Sequence, residues 1–275
     1  MLPLGPRALL AASFLTVAAL ALALPARQET EWRVLEARMF HLGNDPAKEW
    51  PEAPVEPQAQ PLEIRFEARA NASEWVLEVT ARDVDNEWVL ELNGAELARL
   101  KKVNDELLTA RYPVPAGRLK SGENVLRVRA LVDPDDDLTV GRVRLAERSL
   151  REVERLGRVE VRVVERGSRA PLPARLTVVG ADGRMLDLYY AERPLSAVRP
   201  GIAYAGDGGA LLEIPAGKCV LWASRGMEWS AAQESIEVVY GETRSVTLAL
   251  EREVDTTGWV AADTHIHTLT HSGHG

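Results

Sequence analysis

From residue 62 onward the apolar side chains recur at every second position, and that period demands β-structure. Ile64 and Phe66 alternate with charged neighbours. Trp75, Leu77 and Val79 alternate with Val76, Glu78 and Thr80, and Trp88, Leu90 and Leu92 repeat the pattern before Asn93-Gly94. Residues 125–132 and 140–145 extend it. A strand shows successive side chains to opposite faces, so such runs become half-buried strands wherever turn residues separate them. Those turns are Asp85-Asn86, Asn93-Gly94, Ser121-Gly122 and Asp133-Pro134. Asn93-Gly94 suits a two-residue hairpin because both residues tolerate positive φ. Short strands at this spacing predict a jelly-roll-like β-sandwich over residues 62–147.

The charged, helix-prone stretch 148–157 reads as a link to a second module over 158–252. There Val159, Val161 and Val163 alternate, Gly167 turns the chain, and Ala181-Asp182-Gly183 and Pro215-Ala216-Gly217 separate further apolar runs. The last two runs, 236–240 and 246–250, flank Gly241-Glu242 and predict a closing hairpin. The order of apolar strand, Pro-x-Gly turn and strand resembles the transthyretin-like, carboxypeptidase-regulatory-like modules of exported hydrolases. Ahead of both modules, residues 27–61 end in a stretch holding Pro51, Pro54, Pro57 and Pro61, which forbids regular ladders and reads as a loop. The expected fold class is mainly β: two consecutive β-sandwich modules, with the first strand of a truncated (β/α) barrel after them.

Residues 1–26 have the pattern of a signal peptide: Arg7, an uncharged run over 8–24, and Ala21, Ala23 and Ala26 as small residues for cleavage. The run is slightly short for a membrane span, and an uncleaved anchor is the competing reading. Export to a bacterial periplasm or to the outside is expected, with no membrane attachment after cleavage. The single Cys219 admits no internal disulfide and no Cys-rich zinc site, and its apolar strand makes it a core thiol. Asp plus Glu number 41 against 33 Lys plus Arg, a net charge of −8 with no basic block, which argues against nucleic acid as a partner. The oligomeric state is left open.

Four of the five histidines fall at the end of the chain: His265, His267, His271 and His274. On a strand over 259–267, Asp263, His265 and His267 share one face. Two imidazoles at that spacing bind one metal ion or two adjacent ones. A carboxylate on the same face accepts the second ring N–H and fixes the tautomer. Thr270-His271-Ser272-Gly273-His274-Gly275 is a small polar loop of the kind that follows a barrel strand.

The Asp-x-His-x-His strand and its His-Ser-Gly loop resemble the first metal motif of the polymerase and histidinol phosphatase (PHP) superfamily. Gly258-Trp259-Val260-Ala261-Ala262-Asp263, entered from a β-sandwich, resembles the exported CehA/McbA-type metallohydrolases of that superfamily. The resemblance covers residues 258–275 and implies the start of a distorted (β/α) barrel. It implies that His265 and His267 are metal ligands, that Asp263 stands behind them, and that His271 and His274 are further candidates. Zn, Mn or Fe would suit imidazole donors, and the implied reaction is hydrolysis of a small-molecule ester or phosphoester by a metal-activated hydroxide. Many family members carry Ser-Asp-Gly where this chain has Ser272-Gly273-His274. The family's other ligands come from later strands, so the 275 residues read as the N-terminal accessory portion of such an enzyme, inactive alone. Two other readings compete: a carbohydrate- or surface-binding double sandwich without catalysis, and an amidohydrolase-type barrel, which also opens on His-x-His.

Elsewhere the bland readings prevail. His41 is a polar surface or satisfied core residue. Asp133-Pro134-Asp135-Asp136-Asp137 offers hard oxygens to Ca²⁺ but lacks the spacing of a dedicated loop, and reads as a solvated turn. Trp75, Trp88, Trp222 and Trp229 are candidates for a sugar platform, although aromatics at alternating positions are more often core. Asn71-Ala72-Ser73 is a formal glycosylation acceptor. Arg225-Gly226-Met227-Glu228-Trp229 reads as a strand-end turn with an internal ion pair, or as a projection toward a neighbouring active site. No Gly-rich phosphate loop and no Gly-x-Ser-x-Gly elbow occurs.

Overall fold

A computed structural model gives the architecture and describes residues 30–43, 50–54, 56–58, 61–131, 137–189, 196–260 and 262. The chain divides into two compact units, Met1–Thr30 and Glu31–Gly275, and every element named below belongs to the second.

Eight strands make the first sandwich: β1 (Arg33–Leu42), β2 (Leu62–Ala68), β3 (Trp75–Arg82), β4 (Trp88–Leu92), β5 (Ala95–Arg99), β6 (Leu108–Val114), β7 (Gly122–Ala130) and β8 (Leu138–Ala146). They form two four-stranded sheets of order β1-β8-β3-β6 and β2-β7-β4-β5. The antiparallel pairs nest as β1 with β8, β2 with β7, β3 with β6 and β4 with β5. Such nesting is one long hairpin rolled into two layers, a jelly roll. The inward side chains of both sheets share one core, to which Ile64, Leu77, Leu90, Leu126 and Val140 contribute. Trp75 and Trp88 lie within it, so neither belongs to a sugar platform. Asn93 (φ 55°) and Gly94 (φ 80°) form the two-residue turn expected of them, with Leu92 paired to Ala95.

The sandwich begins earlier than residue 62. β1 lies inside the stretch 27–61 and completes the roll by pairing with β8. Its alternation is broken by register shifts between Val34 and Glu36 and between Glu36 and Met39, which hide a strand from any test of period two. The facing strand is bulged as well. A Cβ at Gly141 would stand 2.1 Å from the Arg38 carbonyl oxygen, so only glycine permits this approach. β3 also departs from expectation: it is buried on both faces rather than one.

Ser149 opens the short helix α1 (Leu150–Val153) through a reciprocal capping box with Glu152. The second sandwich follows: β9 (Leu156–Glu165), β10 (Ala174–Gly180), β11 (Ser196–Arg199), β12 (Ile202–Ala205), β13 (Gly209–Pro215), β14 (Gly217–Ser224), β15 (Ala232–Val238) and β16 (Thr243–Leu250). Its sheets run β11-β12-β10-β14-β15 and β13-β9-β16. The closing hairpin does not form. β15 pairs with β14, and β16 crosses to the other sheet, where it lies parallel to β9. Ile236 and Val238 then enter the core from one layer, and Val246, Leu248 and Leu250 from the other. Cys219 is buried in this core, and burial raises its thiol pKa, so it is the inert thiol expected.

Candidate functional site

Asp263, His265, His267, His271 and His274 lie outside the described residues, as do the signal stretch and residues 132–136 of the acidic turn. Among the described residues no group of three His, Cys, Asp or Glu side chains is placed to hold a metal ion, and no helix is long and apolar enough to cross a membrane. His41 is buried. Its Nε2 lies 2.9 Å from Asp137 Oδ1, and its ring meets Trp50 edge to face. Asn71 is buried too. Its Nδ2 donates to the carbonyls of Ser73, Val114 and Pro115, and its Oδ1 accepts from Leu119 N–H, so it is a structural clamp rather than an accessible glycan acceptor.

The Arg225–Trp229 loop sits where the chain leaves the second sandwich. Trp229 forms an isolated bridge with Arg252, Glu228 pairs with Arg252 at 3.6 Å, and the N–H groups of Glu253 and Val254 donate to the Glu228 carbonyl. Arg225 donates from Nη1 to the Pro173 carbonyl at 2.6 Å and lies over the Trp229 ring. The expected internal ion pair is therefore replaced by one to Arg252. Met227 is almost wholly exposed, and further on so are Trp259 (83%) and Val260.

A second cluster joins the two sandwiches. Glu78, outward-facing on β3, is nonetheless buried. Arg111 Nε donates to its Oε2 at 3.0 Å and Arg144 Nε to its Oε1 at 2.8 Å, while the Trp32 ring stacks on both guanidinium groups. Arg111 also reaches across with Nη1 to Glu154 Oε1, 2.6 Å away, and the same oxygen accepts the Tyr189 hydroxyl at 2.9 Å. Burial and that carboxylate together raise the Tyr189 pKa far above the ordinary phenol range. Beside it, Glu213 accepts from Arg151 and Arg158. Nothing in the alternation marks Glu78 as buried, because its parity correctly places it on the outer face. Its cover comes from residues remote in sequence.

An open trough of about 810 Å³ lies on the outer face of the sheet β11-β12-β10-β14-β15. It is lined by Pro173, Arg175, Tyr204, Ser224, Arg225 and small residues including Gly206 and Gly226. Tyr204, Arg175 and Ser224 stand in one cross-strand row, and Ile202, Thr177 and Trp222 in the next. Tyr204 is 45% exposed and Trp222 41%. Of the four tryptophans considered for a platform, only Trp222 fulfils the condition of standing on an open sheet face. Tyr204 escapes sequence reasoning because β12 is too short to display a period.

No family model matches the chain, and no curated protein matches it. Among solved structures, the group B streptococcus pilus 2b backbone protein is similar at 10% identity and a TM-score of 0.28, covering 80% of this chain and 97% of that one. BcpA, the major pilin subunit of Bacillus cereus, is similar at 9% identity and 0.30, covering 66% and 61%. The acetyl xylan esterase Est2A from the rumen bacterium Butyrivibrio proteoclasticus is similar at 16% identity and 0.22, covering 43% and 32%. Likenesses this remote say nothing of a site.

Proposed function

We propose that the two sandwiches are the accessory portion of an exported, metal-dependent hydrolase of PHP type, whose chemistry begins at Asp263. The observation that carries this reading is the alternation of Asp263, His265 and His267 directly after the second sandwich. The described residues supply no rival metal cluster. The donor chemistry fits Zn, Mn or Fe, since two imidazoles and a carboxylate are ordinary ligands of these ions. His265 and His267 would hold the ion, and Asp263 would accept a ring N–H and keep the imidazoles in the ligating tautomer. A bound ion supplies a hydroxide near neutral pH and polarises the scissile bond of an ester or phosphoester. Glu228 and Trp229 fasten the chain at Arg252, eleven residues before Asp263.

Calorimetric titration of residues 27–275 with Zn²⁺ and Mn²⁺ tests the ligand assignment. Binding is expected, and it should be lost in His265→Ala/His267→Ala. Unchanged binding by the double variant overturns the assignment. Sequencing the gene downstream of codon 275 tests the enzyme reading: later His, Glu and Asp-x-His codons in frame support it, and a genuine stop codon refutes it.

A further inference from the structure

We infer that the outer face of the sheet β11-β12-β10-β14-β15 binds an acidic oligosaccharide, a chain of sugar rings bearing carboxylates. Three observations converge. First, the face is open and aromatic where solvated sheets are polar: Tyr204 and Trp222 stand exposed around Ile202 and Thr177. Sugar rings carry apolar C–H faces and polar rims, and an exposed indole or phenol supplies the matching flat surface with a polar edge. The two aromatics are separated by two strand spacings and one two-residue step, about 12 Å between their Cα atoms. A single ring cannot touch both, so the ligand is a chain.

Second, the charge of the trough is one-sided. The side chain of Arg175, between Tyr204 and Ser224, makes no hydrogen bond or ion pair with any described residue. Arg225 stands at the rim, held by the Pro173 carbonyl. Among the described residues no Asp or Glu lines the trough. An unpaired guanidinium presents a planar fork whose natural partner is a carboxylate.

Third, the wall residues Ala197, Gly206, Ser224 and Gly226 are small, so their side chains leave the trough unfilled and room for a sugar chain. The inference is independent of the metal reading, since none of its residues belongs to Asp263–His267.

Isothermal titration of residues 27–275 with alginate-derived hexamannuronate and with a hyaluronan hexamer tests it, with cellohexaose as the uncharged control. Saturable binding of at least one acidic oligomer, and weaker binding of cellohexaose, is expected. Trp222→Ala and Arg175→Ala alter exposed side chains and leave the fold intact. Each should weaken the acidic oligomer about ten-fold, or about 1.4 kcal/mol, and Arg175→Ala should also abolish the preference over cellohexaose. Absence of binding by both acidic oligomers overturns the inference. So does equal affinity for cellohexaose in the unaltered chain, or binding indifferent to both substitutions. Loss of metal binding in the histidine variant leaves all of these outcomes unmoved, so the two proposals fail separately.

Discussion

Replacing Glu78 or its partners distinguishes a buried carboxylate from a surface ion pair. The Glu78 side chain is only 2% exposed, whereas Arg111 and Arg144 are 34% and 41% exposed. That asymmetry sets the order of effects. Glu78→Gln removes the charge and leaves an amide in its place. Both guanidiniums keep water and the Trp32 face, and Arg111 keeps Glu154. Its cost should be that of a charge-assisted hydrogen bond, about 1.5–3 kcal/mol. Arg111→Met combined with Arg144→Met keeps the apolar cover over Glu78 and strands a carboxylate with no cation, which costs about 3–5 kcal/mol. Urea denaturation followed by tryptophan fluorescence should therefore rank the double arginine variant below Glu78→Gln. Adding Glu78→Gln to the double variant should recover part of the loss, because an amide tolerates burial better than an orphaned charge. If the double variant is as stable as Glu78→Gln, or if the triple variant recovers nothing, Glu78 is not desolvated in the way its geometry requires.

Three further outcomes follow from single sites. Asn71→Ala abolishes four hydrogen bonds at a buried position and leaves the Leu119 N–H among others unpaired; a loss of about 2–3 kcal/mol is expected from urea midpoints, and a loss under half of that would contradict the clamp. Arg38 holds the Glu36 carboxyl down from 4.5 to about 2 through hydrogen bonds from Nε and Nη2. A lowered pKa contributes stability above about 4.5 that disappears as pH falls toward 2, and the exposed Arg38 limits it to under about 1 kcal/mol. The stability gap between the unaltered chain and Glu36→Gln should close over that interval, and a pH-independent gap would refute the pairing. Tyr189→Phe removes one of two donors to Glu154 and should cost about 1 kcal/mol in calorimetric melting; a neutral or stabilising result would show that the phenol is not engaged there.

Much of the fold is legible because alternation reports the face a side chain takes. It served for β2, β4 and β9, whose inward residues were named from sequence and are buried. It says nothing about which strand lies alongside. The runs 236–240 and 246–250 look the same whether they pair with each other or cross between layers, and here they cross. It also fails where parity slips. β1 contains two register shifts and ends in four successive buried residues, so it resembles no strand template. β11 and β12 are four residues each, too short to show any period. The trough's legible members were therefore Arg225 and Gly226, singled out with their loop, while Tyr204 and Arg175 required the register. Glu78 required more, since its partners come from strands 33 and 66 residues further on.

The junction between the sandwiches is polar, and polar interfaces within a chain ordinarily permit relative motion. This one couples instead to a buried charge. Arg111 serves Glu78 inside the first sandwich and Glu154 at the junction, and Glu154 in turn holds Tyr189 of the second. Tilting the second sandwich away would pull Arg111 between two carboxylates, one of which has no access to water. Glu213, held by Arg151 ahead of the second sandwich and by Arg158 on β9, adds a second tie on the same side. The two sandwiches are therefore tied at two points. Further along the chain a single five-residue turn does two jobs: Arg225 and Gly226 line the trough, and Glu228 and Trp229 fasten residues 252–254.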